Sequence, residues 1–236
     1  MRLLLLSNSR NPGEEYLAHA APALRDFLGG TGEALFVPYA GVAVSHADYA
    51  ARVREAFAKL GVAIRSASEV TDPLAAARTA PAFVVGGGNS FQLLRMMYQT
   101  GLLELVRTRV AQGAPYIGWS AGSNLACPTI RTTNDMPVVE PPSLSALGLV
   151  PFQINPHYTD RVLENHGGET RDERIGEFLI LNPTVRVLGL REGSWLRREG
   201  GRLAAGGPHT LRLFQQGQPP AELAPTADLD FLLGPG

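Results

Sequence analysis

The sequence predicts an α/β fold: a doubly wound, mostly parallel sheet with helices on both faces and small antiparallel additions in the C-terminal part. Three observations lead there. Short apolar runs without period-two alternation read as strands buried on both faces. Segments with apolar residues at helical spacing separate them. Glycine-rich turns stand where strands hand over to helices.

Residues 3–6, four consecutive leucines, make the first buried strand; the run is too short for a signal-peptide core or a membrane span. A helix is expected over 14–28, a strand over 34–37, a helix over 48–60 and a weak strand over 62–64. Residues 82–85 form a continuous apolar strand that runs into Gly86-Gly87-Gly88-Asn89, and helices follow over 91–97 and 102–110. Another strand, 116–118, ends at Gly118. The second half is less regular, with Pro137, Pro141, Pro142 and Pro151 punctuating loops and a hairpin. Strands are expected over 150–154 and 185–190 with a helix over 171–181 between them, and the tail from Gly200 reads as small antiparallel strands such as 211–214. No linker divides the chain and no repeat recurs, so residues 1–236 are read as a single domain.

With Lys+Arg 21 against Asp+Glu 22 and a net charge of −1, no basic field exists to hold nucleic acid or an anionic membrane. Lys59 is the only lysine, so the abundance of arginine reads first as compositional bias. A single cysteine, Cys127, excludes an intramolecular disulfide and a thiolate zinc framework, which fits a reducing cytoplasm.

Gly118-Trp119-Ser120-Ala121-Gly122 has the G-x-S-x-G pattern at a strand-to-helix handover, the context that pushes a serine hydroxyl out of the sheet edge. The N–H of Ala121 would point into the same space. The Gly86-Gly87-Gly88 turn lies at another carboxyl strand end, where the Gly87 and Gly88 amides could join Ala121 as an oxyanion hole. Asn89 follows them as a substrate-binding candidate. A phosphate site is the rival reading, but the run lacks both G-K-[ST] and G-x-G-x-x-G spacing.

A serine hydroxyl needs a base at neutral pH, and His19, His46, His157, His166 and His209 are available. His157 is best placed: it follows a strand, in Asn155-Pro156-His157-Tyr158. His19 falls in a helix and the other three in loops. The base in turn needs an orienting acceptor. Asp135, in a loop, and Glu192, at the end of a strand, both qualify, and spacing does not decide between them.

Taken together, Gly86-Gly87-Gly88-Asn89, Gly118-Trp119-Ser120-Ala121-Gly122-Ser123, Asn134-Asp135-Met136, Asn155-Pro156-His157-Tyr158, Gly168-Glu169-Thr170-Arg171 and Glu192-Gly193-Ser194-Trp195 resemble the peptidase E family of serine peptidases, the aspartyl dipeptidases. The resemblance runs along most of the chain; the tail beyond about residue 200 takes no part in it. It implies a class I glutamine amidotransferase-like, flavodoxin-like fold and one catalytic domain. It further implies a cytoplasmic enzyme that hydrolyses dipeptides with an N-terminal aspartate, with Ser120 as nucleophile and His157 as base. Asp135 or Glu192 is the third member, and Glu192 is favoured because a strand end is a rigid mount. No metal or cofactor is required, the partners are small Asp-X peptides with neither nucleic acid nor membrane, and a homodimer stays open. Rival readings are a cyanophycinase-like β-aspartyl exopeptidase, an amidotransferase-like amidase, whose elbow would carry cysteine, and a non-catalytic binding domain on the same fold.

Thr170-Arg171-Asp172-Glu173 fits a capping box with Thr170 at N-cap and Glu173 at N3. Arg171 then stands at N1, where a cation opposes the helix dipole. A ligand carboxylate supplies the missing reason, so Arg171 is expected to bind the substrate aspartate, with Arg174, one turn on, as second choice.

Overall fold

The computed structural model describes residues 1–161 and 167–234. The large sheet takes strands β1 (Arg2–Leu6), β2 (Glu33–Val37), β3 (Ala63–Ser66), β4 (Phe83–Val85), β5 (Tyr116–Trp119), β8 (Trp195–Glu199) and β9 (Arg202–Gly206), in the order β3-β2-β4-β5-β1-β8-β9. The strands from β3 to β1 run parallel, and β8 and β9 close one edge antiparallel. The helices are α1 (Ala21–Leu28), α2 (His46–Ala58), α3 (Pro73–Thr79), α4 (Ser90–Gln99), α5 (Leu102–Ala111), α6 (Ala121–Leu125) and α7 (Arg171–Leu181).

Alternate residues of each central strand serve opposite faces. Leu4, Leu6, Phe36, Val84 and Ile117 pack with Phe27 of α1 and Val53 and Phe57 of α2. Leu3, Leu5, Leu35, Phe83 and Tyr116 pack with Leu93 and Met97 of α4 and Leu102 and Val106 of α5. This burial of both faces is why the strands read as unbroken apolar runs. A second, four-stranded sheet, β11-β10-β7-β6, is built from β6 (Gln153–Tyr158), β7 (Val187–Arg191), β10 (Leu211–Phe214) and β11 (Ala221–Leu223). Its β6 and β7 are parallel and α7 lies between them in sequence, whereas β10 and β11 add antiparallel. The order of the large sheet reverses between β2 and β4, and a crevice opens beyond their carboxyl ends, where such folds bind ligands.

Several expectations need correction. The helix expected over 14–28 begins only at Ala21, after a 3-10 turn at Ala18–Ala20 that holds His19. Leu17 adopts φ 60° with its N–H on the Ser9 carbonyl at 2.7 Å, and Pro22 sits in the first turn, where its missing N–H costs nothing. The strand expected over 150–154 lies at Gln153–Tyr158, because the amides of Leu149 and Val150 bond to the Ala126 carbonyl instead. His157 therefore lies inside a strand, and Pro156 is tolerated there because β6 is an edge strand. In place of a hairpin among the prolines, the described residues show one isolated bridge, Thr129 to Ser145. His46 opens α2, capped by Ser45, and is not in a loop. Helix α3 and strand β8 were not expected. His166 lies outside the described residues. Among the described residues no helix is long and apolar enough to cross a membrane.

Candidate active site

Strand β5 delivers Ser120 at the N-cap of α6 with φ 52° and ψ −115°, a conformation that non-glycine residues rarely adopt. The surroundings hold it there. Ser120 N–H bonds to the Leu6 carbonyl at 3.1 Å, Ser123 Oγ donates to the same carbonyl at 2.6 Å, and the buried Tyr116 hydroxyl donates to the Gly122 carbonyl at 2.6 Å. A Cβ at Gly122 would run into the Val85 carbonyl, so the tight passage of the elbow past β4 requires glycine there.

His157 reaches the elbow from the second sheet. A register shift in β6 between Pro156 and Tyr158 and a φ of 52° turn its side chain toward Ser120. His157 Nε2 lies 2.9 Å from Ser120 Oγ, and Nδ1 lies 2.6 Å from Glu192 Oε1. A carboxylate can only accept, so Nδ1 carries the proton and Nε2 is left to accept from the serine hydroxyl. A hydroxyl, an imidazole and a carboxylate in series can activate the hydroxyl for attack on a carbonyl carbon.

Glu192 follows the end of β7, and Gly193 N–H donates to Asn8 Oδ1 at 2.8 Å, which fixes its turn. Asp135 is placed elsewhere. Its Oδ2 accepts from Ser90 N–H at 2.7 Å, at the start of α4, and from Thr133 Oγ1 at 3.0 Å. It is an anion at a helix N-terminus and is not bonded to His157.

Among the described residues no acceptor is bonded to the N–H of Gly87 or Gly88, whereas Gly86 and Asn89 donate to the carbonyls of Val37 and Ala40. Ala121 is the first residue of α6, so its N–H has no partner within the helix. Gly88 has φ +132°, and a Cβ there would strike the Ala40 carbonyl. Tyr49, on α2, accepts from Trp119 Nε1 at 3.0 Å and donates to the Gly87 carbonyl at 3.0 Å. Burial pushes its phenol pKa well up and keeps it a donor. With the Gly87 carbonyl held, the Gly88 N–H of the same peptide points the opposite way. Asn89 caps α4, its Oδ1 accepting from Gln92 N–H at 3.0 Å and its Nδ2 donating to the Met136 carbonyl at 2.8 Å.

Two chambers meet at His157. One, about 560 Å3, fills the crevice between β2 and β4 and is lined by Ser120, Gly87, Gly88, Asn89 and residues 40–44. The other, about 1010 Å3, is lined by Glu192, Arg171 and Arg174 among others. The capping box at α7 is present, with Thr170 N–H on Glu173 at 2.6 Å and Glu173 N–H on Thr170 Oγ1 at 3.2 Å. Arg171 is half-buried, and among the described residues nothing accepts a hydrogen bond from it. Burial, and then the Arg174 charge, lower its pKa. Arg174 is 3.6 Å from Glu169 and more exposed. Among the described residues no group of three or more His, Cys, Asp and Glu could hold a metal ion. Sequence reasoning missed Asn8 and Tyr49; the only signal was that Asn8 follows the carboxyl end of a parallel strand.

Comparison with known proteins gives a consistent result. A model of the family described as Peptidase family S51 matches residues 3–205. A protein of Streptomyces coelicolor named Peptidase E is 54% identical over 234 residues, covering 99% of this chain and 95% of its own. A Peptidase E of Nostoc sp. is 48% identical over 233 residues, with 98% and 96% covered. In fold, the chain resembles the crystal structure of a peptidase from an acI-B1 Actinobacterium, with a TM-score of 0.68 at 17% identity and 94% and 93% of the two chains covered.

Proposed function

The chain belongs to peptidase family S51, and from that membership we propose that it is a serine-type dipeptidase that hydrolyses dipeptides with an N-terminal aspartate. The observation that carries the reading is the Ser120–His157–Glu192 chain, with contacts of 2.9 and 2.6 Å. His157 Nε2 takes the Ser120 proton as Oγ attacks the peptide carbonyl carbon. The amides of Gly87, Gly88 and Ala121 stabilise the oxyanion. As the tetrahedral intermediate collapses, the C–N bond breaks and His157 gives its proton to the leaving amine. Water then attacks the aspartyl ester, His157 takes a proton from it, and as the ester C–O bond breaks His157 passes that proton to Ser120 Oγ. Throughout, Glu192 holds the Nδ1 proton and balances the imidazolium.

Arg171 accounts for the choice of aspartate. Its half-buried cation, with no anion bonded to it among the described residues and one residue past the N-cap of α7, suits the β-carboxylate of the substrate. Cys127, buried and with its thiol pKa pushed up to about 12 by that burial, suits a cytoplasmic enzyme.

The test is a panel of Asp-X, Asn-X and β-aspartyl-arginine dipeptides assayed for release of free amino acid by wild type and Ser120→Ala. Turnover of Asp-X above the other two, lost in Ser120→Ala, is expected. Unchanged turnover by folded Ser120→Ala removes the serine mechanism, and a preference for β-aspartyl-arginine removes the dipeptide reading.

A further inference from the structure

The crevice between β2 and β4 is lined by Ser120, Gly88 and Arg52 together. Arg52 stands one helical turn after Tyr49, on the same face of α2, and Tyr49 is tied to Gly87 and Trp119. That face is therefore turned toward the elbow. The Arg52 guanidinium lies over the Tyr16 ring at 5.9 Å, and Tyr16 meets Trp119 edge-on at 6.1 Å, so packed side chains lead from beside Ser120 to the cation. Arg52 is exposed, and among the described residues it has neither an ion pair nor a hydrogen-bond acceptor. Among the described residues no carboxylate lines the chamber, and Arg52 is the one Arg or Lys that does. Ala40, Ala43, Val44 and a Val42 that is 61% exposed give it an apolar stretch of wall.

An Asp-X dipeptide carries two carboxylates, one on either side of the scissile bond. Arg171 lies in the chamber on the far side of His157 and is assigned to the aspartate side chain; the C-terminal carboxylate of X then needs its own cation. We propose that the β2–β4 crevice is the leaving-residue subsite, in which Arg52 binds the free C-terminal carboxylate of X and Val42 and Val44 contact its side chain. This rests on the dipeptidase reading and deepens it, because it explains why the chain length would stop at two. Each further residue moves the terminal carboxylate about 3.5 Å onward, out of reach of a cation set for one residue beyond the elbow. The subsite favours dipeptides whose second residue is apolar and bears a free carboxylate.

The experiment compares kcat/KM for Asp-Leu and its C-terminal amide on wild type, Arg52→Met and Arg52→Lys. Wild type is expected to prefer the free acid by roughly tenfold to a hundredfold, the scale of one charge-assisted contact. Arg52→Met should hydrolyse both substrates near the wild-type rate on the amide, and Arg52→Lys should recover part of the preference. Equal wild-type rates on acid and amide, or an unaltered ratio in Arg52→Met, overturns the assignment while leaving the dipeptidase reading in place. A mutant that instead loses discrimination between Asp-Leu and Asn-Leu places Arg52 on the aspartate side chain and overturns it too. Failure of wild type to hydrolyse Asp-Leu at all overturns the dipeptidase reading, and the subsite with it.

Discussion

The hydroxyl oxygen of Ser7 accepts the backbone N–H of His157 at 2.9 Å, across 150 positions of sequence. The same hydroxyl donates to the Leu190 carbonyl at 2.7 Å, two residues before Glu192. One buried group at the end of β1 thus pins the bulge that aims His157 to the strand that carries its carboxylate. Ser7→Ala leaves a buried N–H and a carbonyl without that partner, a cost of about 1–3 kcal/mol for each group left unpaired. The expected result is a fall in kcat on the order of tenfold to a hundredfold with KM for Asp-X nearly unchanged, together with a shifted pH–rate profile. Steady-state kinetics across pH checks it; a change in KM alone would contradict a positioning role.

Glu192→Gln keeps the shape of the orienting group and removes its charge. Turnover should drop on the order of 10⁴-fold, as for serine triads that lose their acid. Asp135→Asn should cost little turnover and only about 0.3–1 kcal/mol of stability, because Asp135 serves the N-terminus of α4. Measured kcat for the two variants side by side decides, and a larger loss in Asp135→Asn would exchange the roles.

Arg171→Met should lose kcat/KM on Asp-X far more than on Asn-X, since the cation matters only where the substrate brings a carboxylate. An equal loss on both substrates would take Arg171 out of the specificity pocket.

Glu222 gives the fold a predictable acid limb. Its hydrogen bond from Arg191, aided by those from Thr210 and Arg212 and opposed by partial burial, lowers its pKa from 4.5 to about 2. A carboxylate whose folded pKa is depressed contributes stability that is full above its unfolded pKa and is lost as pH falls through the folded one. Wild type should therefore exceed Glu222→Gln in urea stability at pH 7, with the gap closing between about pH 4.5 and pH 2. A gap independent of pH would show that Glu222 acts through packing and not through its charge.

The parts legible in the sequence were those whose signal is local. Leu3 to Leu6 and Ala82 to Val85 announce strands because both faces are buried, and α7 starts where its capping box implies. Ser120 stood out because the elbow motif encodes a backbone shape as well as a nucleophile. Ser7 and Tyr49 did not, since each bonds to partners brought near only by the sheet order, and a lone polar residue carries no period. His157 was found by type but placed just after a strand, whereas β6 runs through Pro156 to Tyr158, as an edge strand can. The same holds for β8, whose Trp195-Leu196-Arg197-Arg198-Glu199 lacks an apolar run, and for α3, whose Asp72-Pro73 start precedes an alanine-rich stretch with little amphipathic contrast.

The proposed nucleophile and its proposed base belong to different hydrogen-bonded ladders: Ser120 follows the end of a strand of the large sheet, whereas His157 and Glu192 ride on the small one. The 2.9 Å contact between them therefore spans a seam. Slippage of about an ångström along that seam breaks the relay while every strand stays paired, so on warming, turnover should fail before circular dichroism registers any loss of structure. In this enzyme the rate is a gauge of how well two sheets stay docked.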